Sequence, residues 1–411
     1  MAEDVGKLQK HAEAARVFSP AAPIDEYRLF AGRRDQVREI LVSVNQRGRH
    51  VVLFGERGVG KTSLANILTE LFDGDGLRAL NSGTVNCDAS DDFSTLWRKV
   101  FRELSLYMED GEGQVSEGTV SEILSSENIT PDDIRFLLDR IPQPVMITID
   151  EVDRLADGSA TTLLADTIKT LSDHSVDATL IFVGVADSVD QLIAEHQSVE
   201  RALRQIRMPR MSMNELYEIL DKGADELGLT FAPDARERIA RLSEGLPTYT
   251  HLLALEAVQR AIIDDRSEVS LADVDAATKE AVDGSQQSIR NTFHRAISSP
   301  RPDNIFGQVL LACALTPTDF MGTFRATDVE GVLTAIKGKE YKSPAFARHL
   351  KEFCDAARGP VLQRLGTKHR PRYRFINPMM QPYVILHGLA HDLISEELLL
   401  ELQNRQARTD P

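Results

Sequence analysis

The alternation of apolar and polar positions changes character twice along the chain. Residues 51–54 (VVLF), 144–150 (PVMITID) and 178–184 (ATLIFVG) are short, nearly continuous apolar runs, the pattern of strands buried on both faces of a parallel sheet. After the first run, Leu64, Ile67, Leu68 and Leu71 recur at helical spacing. From residue 212 such runs cease, and residues 212–229, 232–244, 250–264 and 270–282 read as helices, the last opening at Ser270 ahead of Asp273. Helical texture continues at 303–316, 325–336 and 343–357. Residues 361–389 then read as strand, basic turn, strand and helix. The pattern predicts an α/β fold with a parallel sheet over 23–210, an all-α segment over 211–284 and a third domain over 285–394.

Three segments carry no comparable periodicity. Residues 104–130 are acidic, rich in Ser and Gly and poor in core residues, so an excursion at about 105–130 is expected to be mobile. Within an extension over 1–22 and a tail over 395–411, residues 1 to about 20 and the final NRQARTDP (404–411) are expected to be loosely held.

Length and charge narrow the class. With 411 residues and 42% hydrophobic content the chain can bury two or three cores. The start MAEDVGKLQK does not resemble a secretory signal, and no stretch approaches the ~20 apolar residues of a membrane span. A cytoplasmic location with no membrane partner is expected. Cys87, Cys313 and Cys354 are far apart in sequence, so reduced thiols are expected, without a disulfide or zinc site. The net charge of −16 argues against a nucleic-acid partner, but it is unevenly spread. Residues 285–394 hold 15 Lys plus Arg against 8 Asp plus Glu, whereas residues 1–284 hold 30 against 51.

The clearest chemistry follows the first apolar run. Gly55-Glu56-Arg57-Gly58-Val59-Gly60-Lys61-Thr62-Ser63 has the full spacing of a phosphate-binding P-loop between a strand and a helix. Glycines let backbone N–H groups turn toward phosphates, Lys61 reaches the outer phosphates, and the Thr62 hydroxyl suits magnesium. The second run ends in Asp150-Glu151. Asp150 is placed to share the metal and Glu151 to orient or deprotonate an attacking water, which points to ATP hydrolysis with Mg2+. Asp153 reads as a structural or helix-start charge.

In that order, GERGVGKTS, ITIDEVDRL and LIFVGVADS resemble an AAA+ P-loop ATPase of the origin-recognition and initiator branch, and also the related STAND switch ATPases. The resemblance implies a helical lid over 211–284 and a C-terminal winged helix over 285–394. It places Asp187 where the branch commonly carries an Asn that senses the terminal phosphate; capping of the next helix is the alternative. In YRLFAGRRDQV, Tyr27, Phe30, Gly32 and Arg33 become candidate base-pocket or phosphate contacts, or simply a linker docked on the domain. A helix carrying Arg201 and Arg204 one turn apart would offer an arginine finger to a neighbouring copy in a homo-oligomer, with surface solvation as the alternative. In SEGLPTYTHLL, Gly245 and Pro247 resemble the STAND corner that meets nucleotide, although Gly and Pro also serve an ordinary helix start.

Three helices followed by a two-stranded wing would bring Arg348 and Lys351 on the third helix, and Lys368, His369, Arg370, Arg372 and Arg374 on the wing, toward double-stranded DNA. Asp319, Glu330 and Glu340 are not expected to cancel that cluster. The expected function is an ATP-driven switch coupled to DNA binding or oligomer assembly. The alternative is a STAND-type signalling or anti-phage defence ATPase acting through a separate effector or regulatory protein. A third class, an adaptor keeping nucleotide only for structure, is disfavoured by the Asp150-Glu151 pair.

Overall fold

The structure, a computed structural model, describes residues 2–73, 80–109, 115–123, 128–156, 158–185, 199–301, 303–319, 322–367 and 370–407. The chain divides into two compact units, one formed by residues 23–209 and the other by residues 1–22 with 210–411. Helix α1 (Ala2–Val17) opens the chain and belongs to the second unit.

The 23–209 unit runs α2 (Arg34–Val44), β1 (His50–Gly55), α3 (Lys61–Asp73), β2 (Asn81–Asn86), α4 (Phe93–Glu103), β3 (Ser105–Glu109), β4 (Val115–Thr119), α5 (Pro131–Leu138), β5 (Val145–Asp150), α6 (Gly158–Asp173), β6 (Ala178–Gly184) and β7 (Leu203–Met208). Five strands form a parallel sheet in the order β2-β5-β6-β1-β7. The apolar runs explain it: β5 and β6 are buried along their whole length, as helices on both faces require. Register sets Asn86 beside Asp150, Ile149 beside Phe182 and Gly55 beside Met208. Helix α4 starts at an Asp92 cap bonded to Thr95 and buries Phe93, Leu96, Trp97, Val100 and Phe101 in the same core as Ile147, Ile149 and Phe182.

In the acidic excursion, residues 105–109 and 115–119 form the antiparallel hairpin β3–β4, with Ser105 opposite Thr119. Leu104, Leu106, Val120 and Ile129 anchor the hairpin's base in the core, so four apolar positions among many polar ones suffice to fix it.

The second unit continues with α7 (Met213–Leu227), β8 (Thr230–Phe231), α8 (Pro233–Leu242), α9 (Pro247–Ile263), β9 (Glu268–Val269), α10 (Leu271–Gly284), α11 (Gln287–Ile297), α12 (Phe306–Ala314), α13 (Ala326–Lys337), α14 (Ser343–Phe353), β10 (Leu362–Thr367), β11 (Arg370–Phe375), α15 (Met380–Ala390) and α16 (Glu396–Ala407). The four helices expected over 211–284 are α7 to α10. Three helices and an antiparallel hairpin follow in the expected order, preceded by α11; Phe324 bridges to Tyr373 on β11.

Each terminal segment carries a helix packed within its own unit. Helix α1 packs on α7 and α9, and the Phe18 ring fills the space where a Cβ on Gly223 would lie, 2.2 Å from its Cζ. Helix α16 buries Leu399 and Leu402, and its Glu396 pairs with the buried Arg238 at 2.8 Å. Short apolar faces, Ala14-Val17-Phe18 at one end and Leu399-Leu402 at the other, are enough once partners are supplied by other helices.

Candidate functional site

Because the sheet is parallel, the carboxyl ends of β1, β5 and β6 lie along one edge, where open α/β sheets bind ligands. The loop after β1 begins at Gly55. A Cβ there would stand 2.4 Å from the Met208 carbonyl oxygen of β7, so the P-loop's first glycine answers to its neighbouring strand. Gly58 and Gly60 take φ of 85° and 90°, which lets the loop turn back onto α3. Val59 is buried and pins the loop, while Glu56, Arg57 and Ser63 flank it. Ser63 Oγ accepts the Ile24 N–H at 3.1 Å and so fastens the incoming chain to α3.

Lys61 Nζ donates to the Gly55 and Glu56 carbonyls at 3.1 and 2.8 Å. Burial pushes its pKa down, against the pull of the Asp150 and Asp153 carboxylates. Asp153, placed by sequence as a structural charge, thus acts on the P-loop lysine. Thr62 Oγ1 donates to Asp150 Oδ2 at 2.6 Å, and Asp150 Oδ1 accepts the Glu151 N–H at 2.6 Å. Asp150 is 4% exposed. A hydroxyl and a carboxylate meeting in this way make the hard oxygen donor set that a small divalent cation prefers.

Arg33 is 1% exposed and adopts φ 61°. Its Nη2 donates to the Val59 carbonyl at 2.8 Å, bracing the P-loop from behind. Phe30 is buried, whereas Tyr27 is exposed and its N–H donates to Glu70 Oε2 at 2.6 Å. Sequence reading passed over a cluster at the end of β2, where Lys99 Nζ donates to Asp88 and Asp91 at 2.8 and 2.6 Å. These bonds, with those from Ser90, hold the Asp88 carboxyl well below the usual carboxylate range. The stretch Cys87-Asp88-Ala89-Ser90-Asp91 directly after a β-strand was the available signal.

Arg201 and Arg204 do not share a helix. Arg201 sits in a turn and Arg204 on the strand β7, whose buried Leu203, Ile206 and Met208 face the core. Arg204 donates through Nε and Nη2 to Glu39 Oε2 at 2.9 and 2.7 Å. Asp187 lies outside the described residues.

In the second unit, the Gly245 corner is explained by its surroundings. Gly245 has φ 75°, and a Cβ on it would meet Arg210 Cβ at 2.7 Å and the Met211 carbonyl at 3.0 Å. Its own carbonyl accepts the Met211 N–H at 2.8 Å. Pro247 opens α9 at the helix's first turn and is buried. Glu244, also left-handed, accepts from Gln403 Nε2 of α16 at 2.8 Å, and burial raises its pKa.

Of the basic residues near the hairpin, Lys351 and Arg370 are exposed. Arg348 Nε donates to Glu352 at 2.6 Å and Arg374 Nε to Gln363 at 2.8 Å. Arg372 Nη2 pairs with Asp319 Oδ2 at 2.7 Å, contrary to the expectation that Asp319 leaves the cluster uncancelled. Lys368 and His369 lie outside the described residues. Among the described residues no helix is long and apolar enough to cross a membrane, and no group of three or more His, Cys, Asp or Glu could hold a metal ion by itself.

Residues 44–193 match the family described as "AAA domain". The chain is similar to the ORC2 protein of Aeropyrum pernix, solved in ADPNP–ADP complexes, with 18% identity, TM-score 0.52 and coverage of 96% of this chain and 98% of that one. It is similar also to a Walker-type ATPase of Pyrococcus abyssi, with 14% identity, TM-score 0.52 and coverage of 90% and 99%. No curated protein matches the sequence. At these identities the likeness establishes the fold alone, a P-loop sheet of AAA+ type followed by a largely helical C-terminal region.

Proposed function

From an AAA domain at residues 44–193, we propose that this chain binds ATP with Mg2+ at the P-loop, hydrolyses it, and couples nucleotide state to duplex DNA or to assembly with further copies of itself. The observation that carries the reading is the 2.6 Å bond between Thr62 and Asp150, because it joins the two oxygen ligands that the chemistry needs. Residues 55–63 wrap the phosphates, Lys61 balances their charge, and Thr62 with Asp150 hold the cation. A cation held there would neutralise charge developing on the transferred phosphoryl group. Glu151 orients or deprotonates the attacking water. Asp187 senses the outer phosphate. Since Arg204 is engaged by Glu39, Arg201 is the better finger toward a neighbouring copy.

Helices α12 to α14 with the β10–β11 hairpin are read as a winged helix, in which Lys351 and Arg370 meet phosphates. Phosphate release from ATP tests the whole. Lys61→Ala abolishes nucleotide binding, whereas Glu151→Gln binds ATP and turns it over slowly; equal loss of binding in both variants refutes this division of roles. Specific activity that stays constant on dilution removes the trans finger.

A second reading, a STAND-type signalling or defence switch working through a separate effector or regulatory protein, is favoured by the ion pairs of Arg348 and Arg372 with Glu352 and Asp319 and by the net charge of −16. No duplex DNA shift at low salt, with or without ATP, selects it.

A further inference from the structure

Glu151 is held in an unusual way. Its backbone is left-handed, φ 56° and ψ 37°, a region that non-glycine residues rarely occupy and that clusters at functional sites. Three bonds keep it there. Its N–H donates to Asp150 Oδ1 at 2.6 Å, its carbonyl accepts the Arg154 N–H at 2.8 Å, and its Oε2 accepts Arg154 Nη1 at 2.8 Å. Arg154 therefore grips Glu151 at both main chain and carboxylate, from the one-turn helix at 152–154 that directly follows β5.

A carboxylate that is to take a hydrogen bond or a proton from water needs an oxygen free of competing donors. The Arg154 guanidinium competes for that oxygen, and its positive charge draws the carboxylate toward itself. Both side chains are substantially exposed, Arg154 by 51% and Glu151 by 41%, so water screens the pair and the pair can open. Asp88 and Asp153 also lie within electrostatic reach of Arg154, so its charge has other carboxylates to face when Glu151 leaves. The arrangement holds Glu151 without sacrificing it.

Resting on the hydrolytic reading of Glu151, we propose that Arg154 is a positioning residue that restrains turnover: it parks the Glu151 carboxylate, and the pair opens before water is activated. Nothing in this role touches the nucleotide, so the effect falls on kcat and leaves binding alone.

The experiment is a double-variant cycle on the full chain, reading steady-state ATP hydrolysis and the affinity for a fluorescent ATP analogue. Arg154→Ala raises kcat ~2–5-fold, the scale of a weak exposed pair, with analogue affinity unchanged. Arg154→Lys, which keeps the charge, returns kcat toward the parent value. In a Glu151→Gln background, Arg154→Ala leaves the residual rate unaltered, because the charged partner is gone. An Arg154→Ala rate at or below the parent's, or an equal rise in the Glu151→Gln background, overturns the restraint. If Glu151→Gln by itself turns over ATP as fast as the parent, the hydrolytic reading falls and the restraint with it.

Discussion

Thr62 and Asp150 are 88 residues apart in sequence and belong to elements served by strands that are not neighbours, yet their side chains meet at 2.6 Å. β6 lies between β5 and β1, so the contact is made only because parallel strands bring their carboxyl ends to one edge. The two oxygens act as one unit. Asp150→Asn and Thr62→Ala each lower kcat by on the order of 10²–10³-fold, the scale for loss of one preorganised electrostatic group, and the double variant is little worse than the poorer single. Hydrolysis measured across a magnesium titration checks this; losses that simply multiply in the double variant contradict it.

At the corner of the helical unit, Gly245→Ala forces a side chain into a left-handed backbone and against Arg210 and Met211. It costs about 1–3 kcal/mol. Thermal unfolding of the full chain shows a clear drop in midpoint, and an unchanged midpoint means that the corner yields more easily than its packing indicates.

His50 supplies an acid-sensitive element of the sheet. It is fully buried, its Nδ1 accepts the Leu180 N–H at 3.0 Å, and burial lowers its pKa to about 3. The folded ring stays neutral where the unfolded chain already binds a proton. The contribution is complete above about pH 6.5 and falls by at most ~1.4 kcal/mol per pH unit on the way down to 3. In His50→Gln, the stability difference between pH 7 and pH 5 shrinks by up to ~2 kcal/mol. Urea unfolding at the two values measures it, and an undiminished difference assigns the acid response elsewhere.

Charge pairing separates the residues proposed to meet DNA. Lys351→Ala and Arg370→Ala each lower the salt slope of duplex binding by about 1. Asp319→Asn frees Arg372 and tightens binding. Gel shifts over a salt series read all three, and a slope indifferent to them rules these side chains out as phosphate contacts.

What the sequence disclosed follows the range of each interaction. The P-loop is local, a glycine spacing between an apolar strand and an apolar-faced helix, so its position and its helix are legible from fewer than 20 residues. Asp150 is marked by ending a continuous apolar run. Arg204 misled because a three-residue interval from Arg201 fits a helical turn as well as it fits a turn followed by a strand; only Leu203, Ile206 and Met208, all facing inward, settle the matter. The grip of Arg154 on Glu151 depends on a short helix that no periodicity announces. Gln403, 159 residues from its partner Glu244, has no local signature at all.

The division of the chain also fixes an order of events during synthesis. Residues 23–209 are contiguous, and every strand of their sheet has emerged once β7 is made. Helix α1 is made before that sheet but packs on α7 and α9, which follow some two hundred residues later, and Glu244 gains its amide partner only when α16 arrives. The 23–209 unit can therefore close while α1, which belongs to the other unit, still waits with Ala14, Val17 and Phe18 uncovered, the transiently exposed apolar surface on which nascent chains aggregate.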